Sequence, residues 1–273
     1  MVPRTTAFAA LTALLAGGGI STPHPTILPV ITVHAGDYFF GAPARLAAGL
    51  TTFRLLNDGH ALHMLGITRL DSAHTLNELL TTLNQNKPQP AWAVDVGGPN
   101  AVSPRGASNA TLWLTPGHYV FICWVPGRHG RLHALDGMVA PFDVTPSNVP
   151  PAAEPASDLI VHLADYHIDL SRPWTRGPHA IEVLSDGPHE HDLTILRLRA
   201  AASVAQVMDW LDNPEGVPAP GTALGGTVGF WPGQRAFVTI DVTPGRYLLL
   251  CYVPDDSGKA HYRRGMFREY TVR

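Results

Sequence analysis

Residues 57–70 read NDGHALHMLGITRL and residues 185–198 read SDGPHEHDLTILRL. Asp58, Gly59, His63, Leu65, Ile67, Arg69 and Leu70 recur at one constant offset, the one that carries His63 onto His191. The same offset, without insertion or deletion, carries Val33, His34, Asp37 and Tyr38 onto Val161, His162, Asp165 and Tyr166. It carries Gly97 and Gly98 onto Gly225 and Gly226, and TPGHYVFIC (115–123) onto TPGRYLLLC (243–251). It ends by carrying Cys123, His133, Gly137 and Met138 onto Cys251, His261, Gly265 and Met266. One register held over such a length marks a duplicated unit.

The duplication sets the expected organisation. Residues 27–146 form a first domain and 158–273 a second, joined by a Pro/Ala/Ser-rich linker over 147–157. Residues 1–20 have the shape of a secretory signal: Arg4, an apolar run from Ala7 to Ala16, then small residues at Gly17–Gly19. Export to a periplasmic or extracellular space follows as an expectation. No later stretch is apolar enough to span a membrane, so the mature chain is expected to be soluble.

Composition agrees with a globular protein. With 45% hydrophobic and 15% charged residues the chain can build a core. A net charge of -3 offers no basic surface for nucleic acid. The 26 Gly and 25 Pro favour short strands and many turns, and the 14 His make a metal worth seeking.

Each copy reads as strands. ILPVITVHA, TTFRLLND, HMLGITRL, NATLWLT, HYVFICWV and MVAPFDV carry β-branched and aromatic residues between Gly, Pro and Asn/Asp breaks, and the second copy matches them. One helix interrupts each copy. TLNELLTTL places Leu76, Leu79, Leu80 and Leu83 on one face behind a capping box of Thr75 and Glu78, repeated as Ser203 and Gln206. The residues alone thus point to two all-β antiparallel sandwiches, each with an inserted helix.

Against a background of divergence, two quartets persist: His63, Cys123, His133, Met138 and His191, Cys251, His261, Met266. A thiolate, two imidazoles and a thioether form a soft donor set that suits copper, with methionine as a weak axial ligand. His60, His129 and His189 are rival ligands, but their counterparts are Pro188, Ser257 and Ala61. His34 and His162 persist without a nearby soft donor and read as structural. A disulfide between Cys123 and Cys251 is the bland alternative, opposed by their equivalent places in two separate cores. Inert core cysteines are another, which leaves the fixed histidine offsets unexplained.

The pattern resembles the cupredoxins, the type 1 blue-copper family that includes plastocyanin, over nearly the whole of both repeats. The Pro-Gly-x-Tyr-x-x-x-Cys approach and the Gly-Met pair after His133 and His261 carry that resemblance. One departure stands out: nine residues separate Cys123 from His133, more than in plastocyanin or the two-domain copper nitrite reductases. The resemblance implies two tandem Greek-key β-sandwiches with up to one type 1 copper each, carrying single electrons to and from a redox protein partner. Copper delivery, or a metal-free partner-binding module, is the alternative. A copper oxidoreductase is disfavoured, because Ile122, Trp124, Leu250 and Tyr252 flank the cysteines where a histidine wire to a second copper would lie. Arg128 and Arg131 near the first quartet, and Arg263, Arg264 and Arg268 near the second, could steer an acidic partner or serve as solvated loop charges.

Overall fold

The computed structural model describes Met1, residues 27–214 and residues 217–273, apart from the Arg128 side chain. The expected signal segment (1–20) falls almost wholly outside the described residues. Among the described residues no helix is long and apolar enough to cross a membrane.

The first half runs β1 (Val30–Gly36), β2 (Phe39–Gly41), β3 (Arg45–Ala47), β4 (Gly49–Asn57), β5 (Gly66–Leu70), α1 (Leu76–Asn84), β6 (Ala93–Asp95), β7 (Ala107–Leu114), β8 (Gly117–Ile122) and β9 (Val139–Thr145). The second runs β10 (Leu159–Ala164), β11 (His167–Leu170), β12 (Gly177–Ser185), β13 (His191–Leu198), α2 (Val204–Asp212), β14 (Gly221–Phe230), β15 (Arg235–Val242), β16 (Gly245–Leu250) and β17 (Phe267–Val272). In each half two sheets face one another. β2-β1-β4-β7 covers β3-β9-β8-β5-β6, and β11-β10-β12-β15 covers β14-β13-β16-β17.

The expectation of purely antiparallel sheets is corrected. β1 pairs parallel to β4, β10 parallel to β12, and β3 parallel to β9. The reason is local: the chain turns back at Asp37-Tyr38 into the short edge strand β2, then crosses over before β4, so β1 and β4 share a direction. The capping boxes form as read, with Thr75 and Glu78 closing α1 and Ser203 and Gln206 closing α2. Each helix covers one sheet from outside. Leu79 and Leu83 rest on Val120 and Ile122 of β8, and Val207 and Leu211 rest on Leu248 and Leu250 of β16.

Strand alternation decides where the cysteines go. Val120 and Ile122 face α1, so Tyr119, Phe121 and then Cys123 face the sandwich core. There Phe121 stacks on Phe142 at 4.0 Å and meets Phe53 edge-on at 5.8 Å. That core is continuous through both halves. The outer sheets join where Phe237 of β15 pairs with Thr111 of β7. Next to that seam, Asn100 reaches across to Asp192, Thr194 and the Leu193 and Thr227 carbonyls. Glu154, in the strand-free stretch between the halves, bonds both Trp113 and Arg235.

The double-glycine motif has a steric cause. A Cβ on Gly98 would fall on the Leu65 carbonyl, and one on Gly226 on the Leu193 carbonyl, and both residues have positive φ (123° and 115°). Leu65 and Leu193 lie two residues beyond His63 and His191, so these glycines let a neighbouring segment pack tightly against the backbone next to each histidine.

Candidate metal centres

His63, Cys123 and His133 bring their donor atoms within 4.8 Å of one another, as do His191, Cys251 and His261. Among the described residues these are the two such groups of histidine, cysteine or carboxylate donors. His63, Cys123, His133 and Met138 are wholly buried, as are His191, Cys251 and Met266, with His261 at 1% exposure. Both cysteines are free thiols, so the disulfide alternative is excluded.

The backbone frame is the same in both halves. Cys123 N–H donates to the Met138 carbonyl (3.2 Å), Met138 N–H to the His133 carbonyl (3.0 Å), and His133 N–H to the Val125 carbonyl (3.0 Å). In the second half the matching bonds are Cys251 to Met266 (3.1 Å), Met266 to His261 (3.0 Å) and His261 to Val253 (2.9 Å). A single 3-10 turn begins at each histidine and ends on a left-handed glycine, Gly137 (φ 104°) or Gly265 (φ 101°), which swings the methionine back onto the cysteine strand.

The long Cys-to-His connection also has a plain explanation. Pro126 bridges to Leu132 and Gly127 N–H reaches the Arg131 carbonyl at 2.7 Å; in the second half Pro254 bridges to Ala260 and Asp255 N–H reaches the Lys259 carbonyl at 2.9 Å. The extra residues close on themselves as a side hairpin, leaving His133 and His261 against the site. His129 sits on that hairpin, exposed and with positive φ (62°).

Distances test the donor set. Three donors about 2.0–2.3 Å from one ion in a common plane stand roughly 3.5–4 Å apart. Cys251 Sγ lies 3.5 Å from His261 Nδ1 and 3.9 Å from His191 Nδ1, the two Nδ1 atoms are 3.2 Å apart, and Cys123 Sγ lies 3.6 Å from His133 Nδ1. Three of these four separations lie in that range and the 3.2 Å between the two Nδ1 atoms is slightly shorter, so the clusters suit a soft ion of this size.

Protonation states follow from burial. Desolvation pushes the Cys123 thiol up to about 12 and Cys251 well above its ordinary value, so each holds its proton until a cation displaces it. Each sulfur accepts two backbone N–H groups, from Met64 and Val125 or from Asp192 and Val253. Desolvation, then the neighbouring His261, lowers His191 to about 4, and desolvation lowers His261 too. These are neutral imidazoles ready to donate a lone pair.

Two residues of the repeat, never singled out as site residues from sequence, prove to belong here. Asp37 Oδ1 lies 3.0 Å from His63 Nε2, and Asp165 Oδ1 lies 3.0 Å from His191 Nε2. Partial burial alone would raise Asp37, but hydrogen bonds from His60 and His63 outweigh it and hold the carboxyl well below the usual range. The rival histidines His60 and His189 bond the other oxygen of the same carboxylates, at 2.9 and 2.7 Å, and point outward. Tyr38 and Tyr166 meet His133 and His261 edge-on, with ring centroids 5.1 and 5.4 Å apart. Their signal in the sequence was persistence through the duplication. Gly59 and Gly187 persist for a related reason: a Cβ there would stand 2.7 Å from His63 Nε2 or 2.6 Å from His191 Nε2.

His34 and His162 bond Asp58 and Asp186 (2.6 and 2.5 Å) at the surface. Four of the five arginines considered for steering are engaged locally: Arg131 with Asp136, Arg263 with Asp212, Arg264 with Asp255 and Arg268 with Asp169; the Arg128 side chain lies outside the described residues.

No family model matches the chain, and no curated protein matches it. Solved structures do. An auracyanin from Roseiflexus castenholzii, 20% identical, covers 43% of this chain and 97% of its own (TM-score 0.30). A multicopper oxidase, 12% identical, covers 90% of this chain and 89% of its own (TM-score 0.28). A copper nitrite reductase from Nitrosomonas europaea, 14% identical, covers 90% and 94% (TM-score 0.28). Facing β-sheets that close over a buried His-Cys-His cluster make a cupredoxin-like fold. This chain is two such units in tandem, and its two sites fit type 1 copper.

Proposed function

We propose that the chain is an exported copper protein that carries one electron at each of two type 1 centres, with His63, Cys123, His133 and Met138 as ligands of the first and His191, Cys251, His261 and Met266 of the second. The observation that carries this reading is the convergence of a thiol and two imidazoles at the same point of both halves. Bound copper supplies a one-electron Cu(II)/Cu(I) couple there. The protein's own part is to hold the donors still. Asp37 and Asp165 fix the orientation of His63 and His191, and two backbone N–H groups offset the charge of each sulfur. The cysteine–histidine–methionine hydrogen bonds pin the remaining donors to β8 and β16. A stiff, buried frame lowers the rearrangement that accompanies electron gain.

Full burial of both clusters speaks against copper storage or delivery, which needs donors open to exchange. Neither cysteine has a histidine neighbour to pass electrons to a catalytic copper. The N-terminal apolar run is what supports export.

The test is aerobic and anaerobic redox titration of the copper-loaded chain, followed by visible absorption and electron paramagnetic resonance. Reversible bleaching of an intense thiolate-to-copper band, with no turnover of oxygen or nitrite, is expected. Robust turnover would overturn the carrier reading in favour of an enzyme.

A further inference from the structure

Each half spends a two-residue turn on its site. Asp37-Tyr38 joins β1 to β2 and Asp165-Tyr166 joins β10 to β11. The aspartate takes one histidine of the site and the tyrosine the other. Both tyrosines hold positive φ (69° and 64°), a backbone conformation that is strained for a bulky side chain. In return the ring stands edge-on to His133 or His261, at interplanar angles of 89° and 88°. Those histidines are sealed, at 0% and 1% exposure, whereas Tyr38 and Tyr166 are 39% and 38% exposed.

We propose that electrons pass between solvent and the two centres at Tyr38 and Tyr166, whose rings are the last layer over His133 and His261. This rests on the electron-carrier reading. In the step, a one-electron donor such as hexacyanoferrate(II) is oxidised by one electron and bound copper is reduced by one. No bond is made or broken and no proton moves, so the ring acts as a barrier of fixed thickness and is not itself oxidised. His189, 6.3 Å from His261 between ring centroids and partly exposed, is a competing route in the second half alone, because its counterpart in the first half is Ala61.

The test uses the full chain with Tyr38→Asn, Tyr166→Asn and the double variant, since Asn tolerates positive φ. Tyr→Gly at the same positions is the second variant and Tyr→Phe the conservative control. Copper-loaded proteins are mixed with hexacyanoferrate(II), and bleaching of the thiolate band is timed. Metal-free proteins are treated with diethyl pyrocarbonate, and His133 and His261 are scored for modification. Asn and Gly variants should keep the band and bleach several-fold faster. Their metal-free forms should expose His133 or His261 to the reagent. Phe variants should match the parent in both assays. Parental bleaching rates in Asn and Gly variants with intact bands would overturn the proposal, as would acceleration by Phe. If His189→Ala, and not Tyr166→Asn, changed the second centre's rate, the port there would be His189. A parent chain without the band would instead sink the copper reading, and this proposal with it.

Discussion

Asp37 Oδ1 lies 3.0 Å from His63 Nε2, and that carboxylate, its side chain 34% exposed, links a wholly buried ring to the surface. By accepting from Nε2 it leaves the Nδ1 lone pair for the site and fixes the ring plane. Asp37→Ala should therefore weaken copper binding at the first centre by about 10- to 100-fold. Competition with a copper chelator, read by the absorbance of that centre, checks this. Asp37→Asn, which still accepts a hydrogen bond, should lose less.

Burial of neutral histidine makes the metal-free chain sensitive to acid. His191 titrates near 4 when folded and near 6.5 as a free side chain, so the unfolded chain binds more protons between those values. Folded stability contributed by this group is complete above pH 6.5 and falls as pH drops toward 4, at up to about 1.4 kcal/mol per pH unit. Denaturant unfolding of metal-free protein at pH 7 and pH 4.5 should show the loss, and His191→Gln should flatten that part of the profile.

The two centres are not electrostatic copies. Beside Cys123 the residue after the histidine is Met64; beside Cys251 it is Asp192, 4% exposed, whose backbone N–H lies 3.3 Å from the sulfur. Burial raises the Asp192 carboxyl above its ordinary value, and donors from Asn100, Tyr252 N–H and Thr194 on its oxygens offset only part of that rise. When ionised, Asp192 puts negative charge beside the thiolate, which favours the more oxidised metal. The second centre should have the lower potential, and Asp192→Asn should raise it without moving the first. Spectroelectrochemical titration resolves the pair.

Much of this was legible in the sequence because a duplication performs its own selection. His63, Cys123, His133 and their counterparts stood out as donors that survived together, and the structure gathers them. Asp37 and Tyr38 survived equally but carry no soft donor, so their link to the site became apparent only when the β1–β2 turn placed them beside the histidines. β14 was hidden for another reason. Its run GTALGGTVGF lacks period-two alternation, because Gly225 and Gly226 are demanded by close backbone approach and not by strand propensity. The parallel pairing of β1 with β4 depends on a crossover that no local pattern encodes.

The most direct measurement is the visible spectrum of copper-loaded Cys123→Ser, Cys251→Ser and the double variant beside the parent. Two copper ions per parent chain are expected, with an intense thiolate band that each single variant diminishes and the double variant abolishes. A band that survives in the double variant, or a parent that binds copper with no such band, would contradict the account.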